Sequence, residues 1–298
     1  MTFFELYRGE ISGLLGALFF GTGNVIYRKI SEEMDIIPMN FLRTVLGFLF
    51  FMILTVTTQN PAELLSLSRY VVLMLALSVF FNVAMGDTAY FKAQYIVGVT
   101  RAFPITNLLP LLTLFFAHIL LGEPLTERYF VGVLLVIGGV YFVTQLPKGK
   151  LTVDLETSSR YSGFGLAFLA ALCWTFGTLT LRLGLSEIDA ISANSVRYAF
   201  AIIFLGLMSS RNGSVRKIGK YKRQTIKVVA IATIFNVMLG SLFWTDSVKF
   251  AGATKSATLT ATSPLFALPF SIKFLGESFS WKILLGTIIT ICGVWLVI

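Results

Sequence analysis

The chain has 298 residues, of which 56% are hydrophobic and 13% charged, with a formal net charge of +9. A soluble domain carries roughly 25% charged residues, so this composition, with a mean hydropathy of +0.81, excludes that class and assigns the chain to lipid. The positive charge excludes a nucleic-acid binder in turn: Arg and Lys sit in the breaks between apolar runs, above all between Arg211 and Lys227, with no folded platform around them. Such a basic loop beside lipid reads as an orientation signal or a contact to anionic headgroups.

A helix needs about 20 mostly apolar residues to cross the hydrocarbon core. Residues 1–10 are too short and too mixed in charge for a cleavable signal. Spans are predicted at 11–30, 37–56, 70–90, 97–121, 129–145, 161–183, 190–209, 228–247, 252–275 and 281–298, ten in all. The polar stretch 147–160, with Pro147 and Gly149, reads as a linker between a first five-helix unit, 1–146, and a second, 161–298. Cys173 and Cys292 fall inside apolar runs and read as small buried hydrophobes.

Shifting the second half onto the first by 154 residues aligns the halves without gaps over their last three spans. Asn82, Val83 and Gly86 meet Asn236, Val237 and Gly240, and Arg101 meets Lys255. Thr106 and Pro110 meet Thr260 and Pro264, Leu121-Gly122-Glu123 meets Leu275-Gly276-Glu277, and Gly132 and Gly139 meet Gly286 and Gly293. The same shift puts Asn40 and Arg43 on Asn194 and Arg197. Lipid does not select Gly, Pro, Asn or Glu, so shared hydrophobicity does not account for these matches. Five spans per repeat is an odd number, and the second repeat therefore enters the membrane from the opposite side. The expected fold is all-α and integral to the membrane, ten helices as two inverted repeats, an architecture of alternating-access carriers.

The segment from Ser263-Pro264-Leu265-Phe266 through Leu275-Gly276-Glu277 to Gly293-Val294, and its counterpart from Leu109-Pro110 through Gly122-Glu123-Pro124 to Gly138-Gly139-Val140, resembles the drug/metabolite transporter superfamily, in particular its EamA-like ten-helix members. The resemblance covers essentially the whole chain. It implies a secondary carrier of small organic solutes, with a cavity between the first four helices of each repeat and the fifth helices at the periphery. Gly132 with Gly139 and Gly286 with Gly293 suit close helix packing. Pro104, Pro110, Pro264 and Pro269 are expected to kink spans four and nine and make them walls of the cavity.

Charge inside a bilayer is costly, so each intramembrane ionisable residue is a functional candidate. Arg101 and Lys255 stand first, as cationic contacts for an anionic or zwitterionic solute such as an amino acid or related metabolite; the alternative is snorkelling at a helix end or pairing with a nearby acid. Arg43 and Arg197 read as interfacial anchors. Asn24, Asn82 and Asn236 either bridge helices or line the cavity; Thr106, Thr258 and Thr262 are candidate solute contacts, with threonine also able to bond its own helix backbone, and Tyr90 and Trp244 are equivalent aromatics that either stack on a solute or sit at the interface. Asp87 and Asp246 are the candidate coupling carboxylates, although Asp87 also fits a structural ion pair. The single histidine, His118, builds no metal site and is expected to bond helix to helix.

No catalytic residues, metal or cofactor are expected: the chain lacks His-Glu-x-x-His, Gly-x-Ser-x-Gly and phosphate-loop motifs. The rival classes are an intramembrane enzyme and a channel, the latter disfavoured by an inverted duplication within one chain. The expected partners are a small solute and membrane lipid, not nucleic acid, for a monomer or weak homo-oligomer in the plasma membrane. Loop charges place both termini outside the cell, whereas the resemblance implies the cytoplasm.

Overall fold

A computed structural model of the protein describes residues 3–28, 33–97, 102, 105–144, 157–210, 213–275 and 281–298. Among these no strand occurs. The main helices are α1 (Arg8–Arg28), α2 (Ile36–Thr58), α3 (Arg69–Val97), α4 (Leu109–Leu121), α5 (Glu127–Thr144), α6 (Thr157–Gly184), α7 (Ala190–Ser210), α8 (Arg223–Ala251), α9a (Ala253–Thr260), α9b (Ser263–Leu275) and α10 (Trp281–Val297). Among the described residues, α2, α3, α7, α8 and the 161–184 part of α6 are each long and apolar enough to cross a membrane alone, while α4 and α10 contain shorter apolar helices.

Local chemistry sets several helix ends. Asp189 Oδ1 accepts from the backbone N–H groups of Ile191 and Ser192 at 2.7 and 3.1 Å, and Ser68 Oγ accepts from Val71 N at 3.3 Å, so the starts of α7 and α3 are capped by side-chain oxygens. Pro38 is tolerated in the first turn of α2, where its missing N–H has no helical acceptor to lose. Pro110 and Pro264 likewise sit in the first turns of α4 and α9b, directly after breaks at 107–108 and 261–262. The expectation of proline kinks is corrected in that respect. These two prolines restart split helices; Pro269 lies within α9b, and Pro104 lies outside the described residues.

The repeats interlock. Helix α1 packs on α8 and α9 of the second repeat, and α6 packs reciprocally on α3 and α4 of the first; α2 pairs with α7, and α5 with α10. Helices gain no hydrophobic free energy from one another in lipid, so close backbone approach has to supply the attraction. A methyl group built on Gly23 of α1 would lie 2.5 Å from Asn236 Cβ, and one on Gly177 of α6 would collide with the Asn82 carboxamide. Gly23 and Gly177 are 154 residues apart, like Asn82 and Asn236, so the repeat extends to the first helix of each half. In the α5–α10 pair a methyl on Gly139 would meet Thr290 Oγ1 and come within 2.6 Å of Gly286 O, while one on Gly293 would sit 2.7 Å from Gly132 O. Large side chains such as Ile53, Leu207 and Trp295 face outward, where lipid replaces water as the solvent. Cys173 is buried as expected, whereas Cys292 is exposed on the outer face of α10.

Two widened π-helical turns interrupt α3 and α8, at Phe80–Asp87 and Ile234–Gly240, again one repeat period apart. Such turns break the regular backbone ladder and concentrate at functional sites. Each places its asparagine, Asn82 or Asn236, at the centre of the molecule.

Candidate functional site

A cavity of about 240 Å³ lies between the two interlocked bundles. Helices α1, α2, α3, α4, α6, α7, α8 and α9 and the turn before α4 supply its walls, and α5 and α10 contribute no lining residue. Among the described residues three charged ones line it: Arg43, Asp87 and Arg197. Each arginine lies seven residues into its helix, about 10 Å along the axis, but from opposite ends because the repeats are inverted.

Arg43 forms an ion pair with Asp87 through Nη2 and Oδ2, and the Asp87 Oδ1 accepts from Trp174 Nε1 at 3.0 Å. Trp174 Nε1 also lies 3.2 Å from the Asn82 carbonyl at the widened turn. Arg197 forms the deeper end. Its Nε donates to Ser78 Oγ at 2.9 Å, its Nη1 to Asn194 Oδ1 at 2.6 Å and Thr245 Oγ1 at 3.3 Å, and its guanidinium carbon lies 5.2 Å from the centre of the Trp244 ring. Asn236 Nδ2 donates to Asn24 Oδ1 at 3.0 Å, tying α8 to α1 across the wall.

Beyond Arg197 the bundles meet. Gly122 ends α4 at φ 68°, the left-handed region that glycine enters without a Cβ penalty, and turns the chain so that Glu123 projects from the helix end. Gly252, at φ 90°, makes the abrupt break between α8 and α9a and exposes the first N–H groups of α9a. Glu123 accepts them: Ala253 N donates to Oε1 at 2.6 Å and Thr254 N to Oε2 at 2.9 Å. A negative carboxylate is favoured at that positive helix end. Nearby, Arg182 Nη1 of α6 donates to the Lys249 carbonyl of α8 at 2.5 Å, and Ala117, Leu179 and Ala253 pack as a buried cluster. These contacts tie the two bundles together, and none of Glu123, Arg182, Lys249 and Ala253 lines the cavity.

Of the residues selected from sequence, Asn24, Asn82, Tyr90, Thr106, Asn236, Trp244 and Asp87 line this cavity. Four others do not. Lys255 is drawn to α1, where Nζ donates to Glu10 Oε1 at 2.7 Å and approaches the Ile298 carbonyl at 3.4 Å; this is the alternative of pairing with an acid. Thr258 turns back on its own helix backbone, to Thr254 O at 2.8 Å, as threonines in helices commonly do, and Thr262, in the break between α9a and α9b, donates to Leu259 O at 2.6 Å. Asp246 is held by Arg8 at 2.6 Å and Ser12 at 2.7 Å. Arg101 lies outside the described residues. Arg43 and Arg197 are not interfacial anchors: both are more than nine-tenths buried on the cavity wall. Their matched Asn-x-x-Arg spacing in the two repeats was the signal available in the sequence. Trp174, Thr178, Tyr198 and Ser241 carry no such signal and enter through packing alone. His118 bonds the Glu123 carbonyl at 2.9 Å, within its own turn and not to another helix.

An intertwined duplication of membrane helices around a central cavity fits a polytopic membrane transporter, and the comparisons with known proteins agree. The chain belongs to the EamA-like transporter family, which it matches over residues 7–145 and again over 161–298. It is 23% identical over 288 residues to an uncharacterized transporter of Archaeoglobus fulgidus, covering 97% of each chain. To the uncharacterized transporter YyaM of Bacillus subtilis it is 25% identical over 214 residues, 68% of this chain and 67% of that one. A solved crystal structure superposes with a TM-score of 0.78 at 14% identity over 97% of this chain and 96% of the other, a likeness of fold.

Proposed function

We propose that the protein is a secondary active transporter that moves a small organic solute, anionic or zwitterionic in the manner of an amino acid or related metabolite, by alternating access. The observation that carries this reading is a cavity assembled from both repeats, together with the contact of Glu123 to the start of α9a, whose residues recur in the sequence of the other repeat; in this reading that contact is a latch closing one end. Glu123 has Glu277 as its counterpart, Gly252 has Gly98, and Arg182 has Arg28. In the opposite state Glu277 takes the N-terminus of span four as Glu123 now takes that of α9a, and the cavity opens at the end that is latched here. The units exchanging conformation are the repeats 1–146 and 161–298, joined by 147–160. Asn24, Asn82, Tyr90, Thr106, Asn236 and Trp244 supply the solute contacts, and the Arg43–Asp87 pair is the candidate for ion coupling. A channel would need an open path rather than alternate latches, and catalysis would need a nucleophile with a base or a metal set.

Reconstituted vesicles test this reading. Saturable counterflow of a labelled solute is the expected result; single-channel currents, or flux that does not saturate, would overturn it.

A further inference from the structure

The two repeats contribute unequal charge to the cavity, and this deepens the transporter reading, on which it rests. Under the 154-residue shift Arg43 corresponds to Arg197, Asn82 to Asn236 and Tyr90 to Trp244, but Asp87 corresponds to Ser241. Arg43 is neutralised by Asp87. Ser241 hydrogen-bonds Tyr198 Oη at 2.6 Å and brings no charge to Arg197. The partners of Arg197 among the described residues, Ser78, Asn194, Thr245 and the Trp244 ring, are all neutral. With Arg43 and Asp87 cancelling, the described residues of the lining carry one net positive charge, and it sits on a residue only 3% exposed. A cation out of water and without a counter-ion is costly, and an anion that arrives with a solute removes that cost.

A second observation points the same way. The carboxamides of Asn24, Asn82, Asn107 and Asn236 also belong to residues of this lining, and carboxamide NH2 groups donate to acceptor oxygens. The planar guanidinium of arginine favours a carboxylate over a point charge. Trp174, Tyr90, Phe20 and Trp244 offer apolar surface for the rest of the molecule.

We infer that the solute is a monoanion whose carboxylate pairs with Arg197, and that Ser241, by not being an acid, makes the cavity selective for it. A zwitterion fits less well, because the one carboxylate available to an ammonium group is already held by Arg43. A doubly charged anion would exceed the single positive charge.

Three probes of nearly one shape and different charge test the inference: phenylacetate, its neutral amide phenylacetamide, and zwitterionic phenylglycine, which adds only an α-ammonium group. Thermal-shift titrations of the purified full-length protein give an apparent affinity for each, since a ligand of the folded state stabilises by mass action. In the native protein phenylacetate is expected to bind at least ten times more tightly than either of the others. Arg197→Gln and Ser241→Asp should both abolish that preference. Ser241→Asp recreates the pair already tolerated in the first repeat and keeps Arg197, so it remains informative even if Arg197→Gln fails to fold. No stabilisation by phenylacetate, equal binding of the amide, tighter binding of phenylglycine, or a preference that survives Ser241→Asp would each overturn the inference. Vesicle counterflow separates this failure from that of the transporter reading: flux of the neutral amide alone would remove anion selectivity and leave transport intact.

Discussion

Arg43 and Arg197 occupy equivalent places in the two repeats, at matching depths from opposite ends, and both are buried. Around the first the chain places a carboxylate and an indole donor; around the second it places hydroxyls, an amide and an aromatic ring. The backbone frame is shared down to the widened turns that carry Asn82 and Asn236. Duplication thus preserved the parts that set helix geometry, while one divergent position, Asp87 against Ser241, changed the charge of the cavity without altering the frame.

The strongest way to break this comparison is to remove the acid. Asp87→Ala leaves Arg43 buried without its counter-ion and is expected to destabilise the protein by about 3–5 kcal/mol, against about 1 kcal/mol for Ser241→Ala, which removes a neutral hydrogen bond. Thermal unfolding midpoints in detergent compare the two variants, and equal losses would mean that the arginines are not differently balanced.

Glu123→Gln weakens two hydrogen bonds that are strengthened by charge, a loss of about 1.5–3 kcal/mol from the latched end. A thiol introduced at Ala257, on the cavity wall, in a background lacking Cys173 and Cys292, should then react roughly tenfold faster with an impermeant reagent added at the latched face. An unchanged rate would remove Glu123 from the closure.

The shared frame has its own test. Gly23→Ala and Gly177→Ala each press a methyl onto the asparagine of the other repeat and should cost about 1–3 kcal/mol, by similar amounts. Gly138→Ala, which meets nothing within 4 Å, serves as the control and should not destabilise. A large loss in only one of the matched pair would show that the frame is less symmetric than the sequence repeat.

Outside the frame the repeats have diverged freely. Lys217, whose counterpart is Glu63, pairs with Asp35 at 3.3 Å with both side chains more than half exposed. Lys217→Ala should change stability by less than about 1 kcal/mol and leave vesicle counterflow unchanged. A larger effect would bring this loop into the mechanism.

Hydropathy determined most of the helices, because crossing lipid is a requirement each segment meets from its own composition, and the predicted spans agree with the described helices to within a few residues except that span three runs on to Val97, span eight starts at Arg223 and ends at Ala251, span nine is split at 261–262, and span four, expected over 97–121, has its described helix only over Leu109–Leu121. The 154-residue repeat and the Leu-Gly-Glu signature were equally legible. The structure gives the signature its reason: a left-handed glycine that aims a carboxylate at the next helix start.

Which polar side chains meet at the centre was decided only by the tertiary structure. The π-helical turns of α3 and α8 break the 3.6-residue phase on which any reading of helix faces depends, since each residue advances the face by about 100°. The break at Gly252 starts α9a against α1 and gives Lys255 to Glu10, while Arg197, which the sequence placed at an interface, is carried inward by the pairing of α7 with α2. Span positions and repeat register are properties of a chain segment in lipid. The charge of the cavity belongs to the assembled helices, because it depends on which buried groups become neighbours.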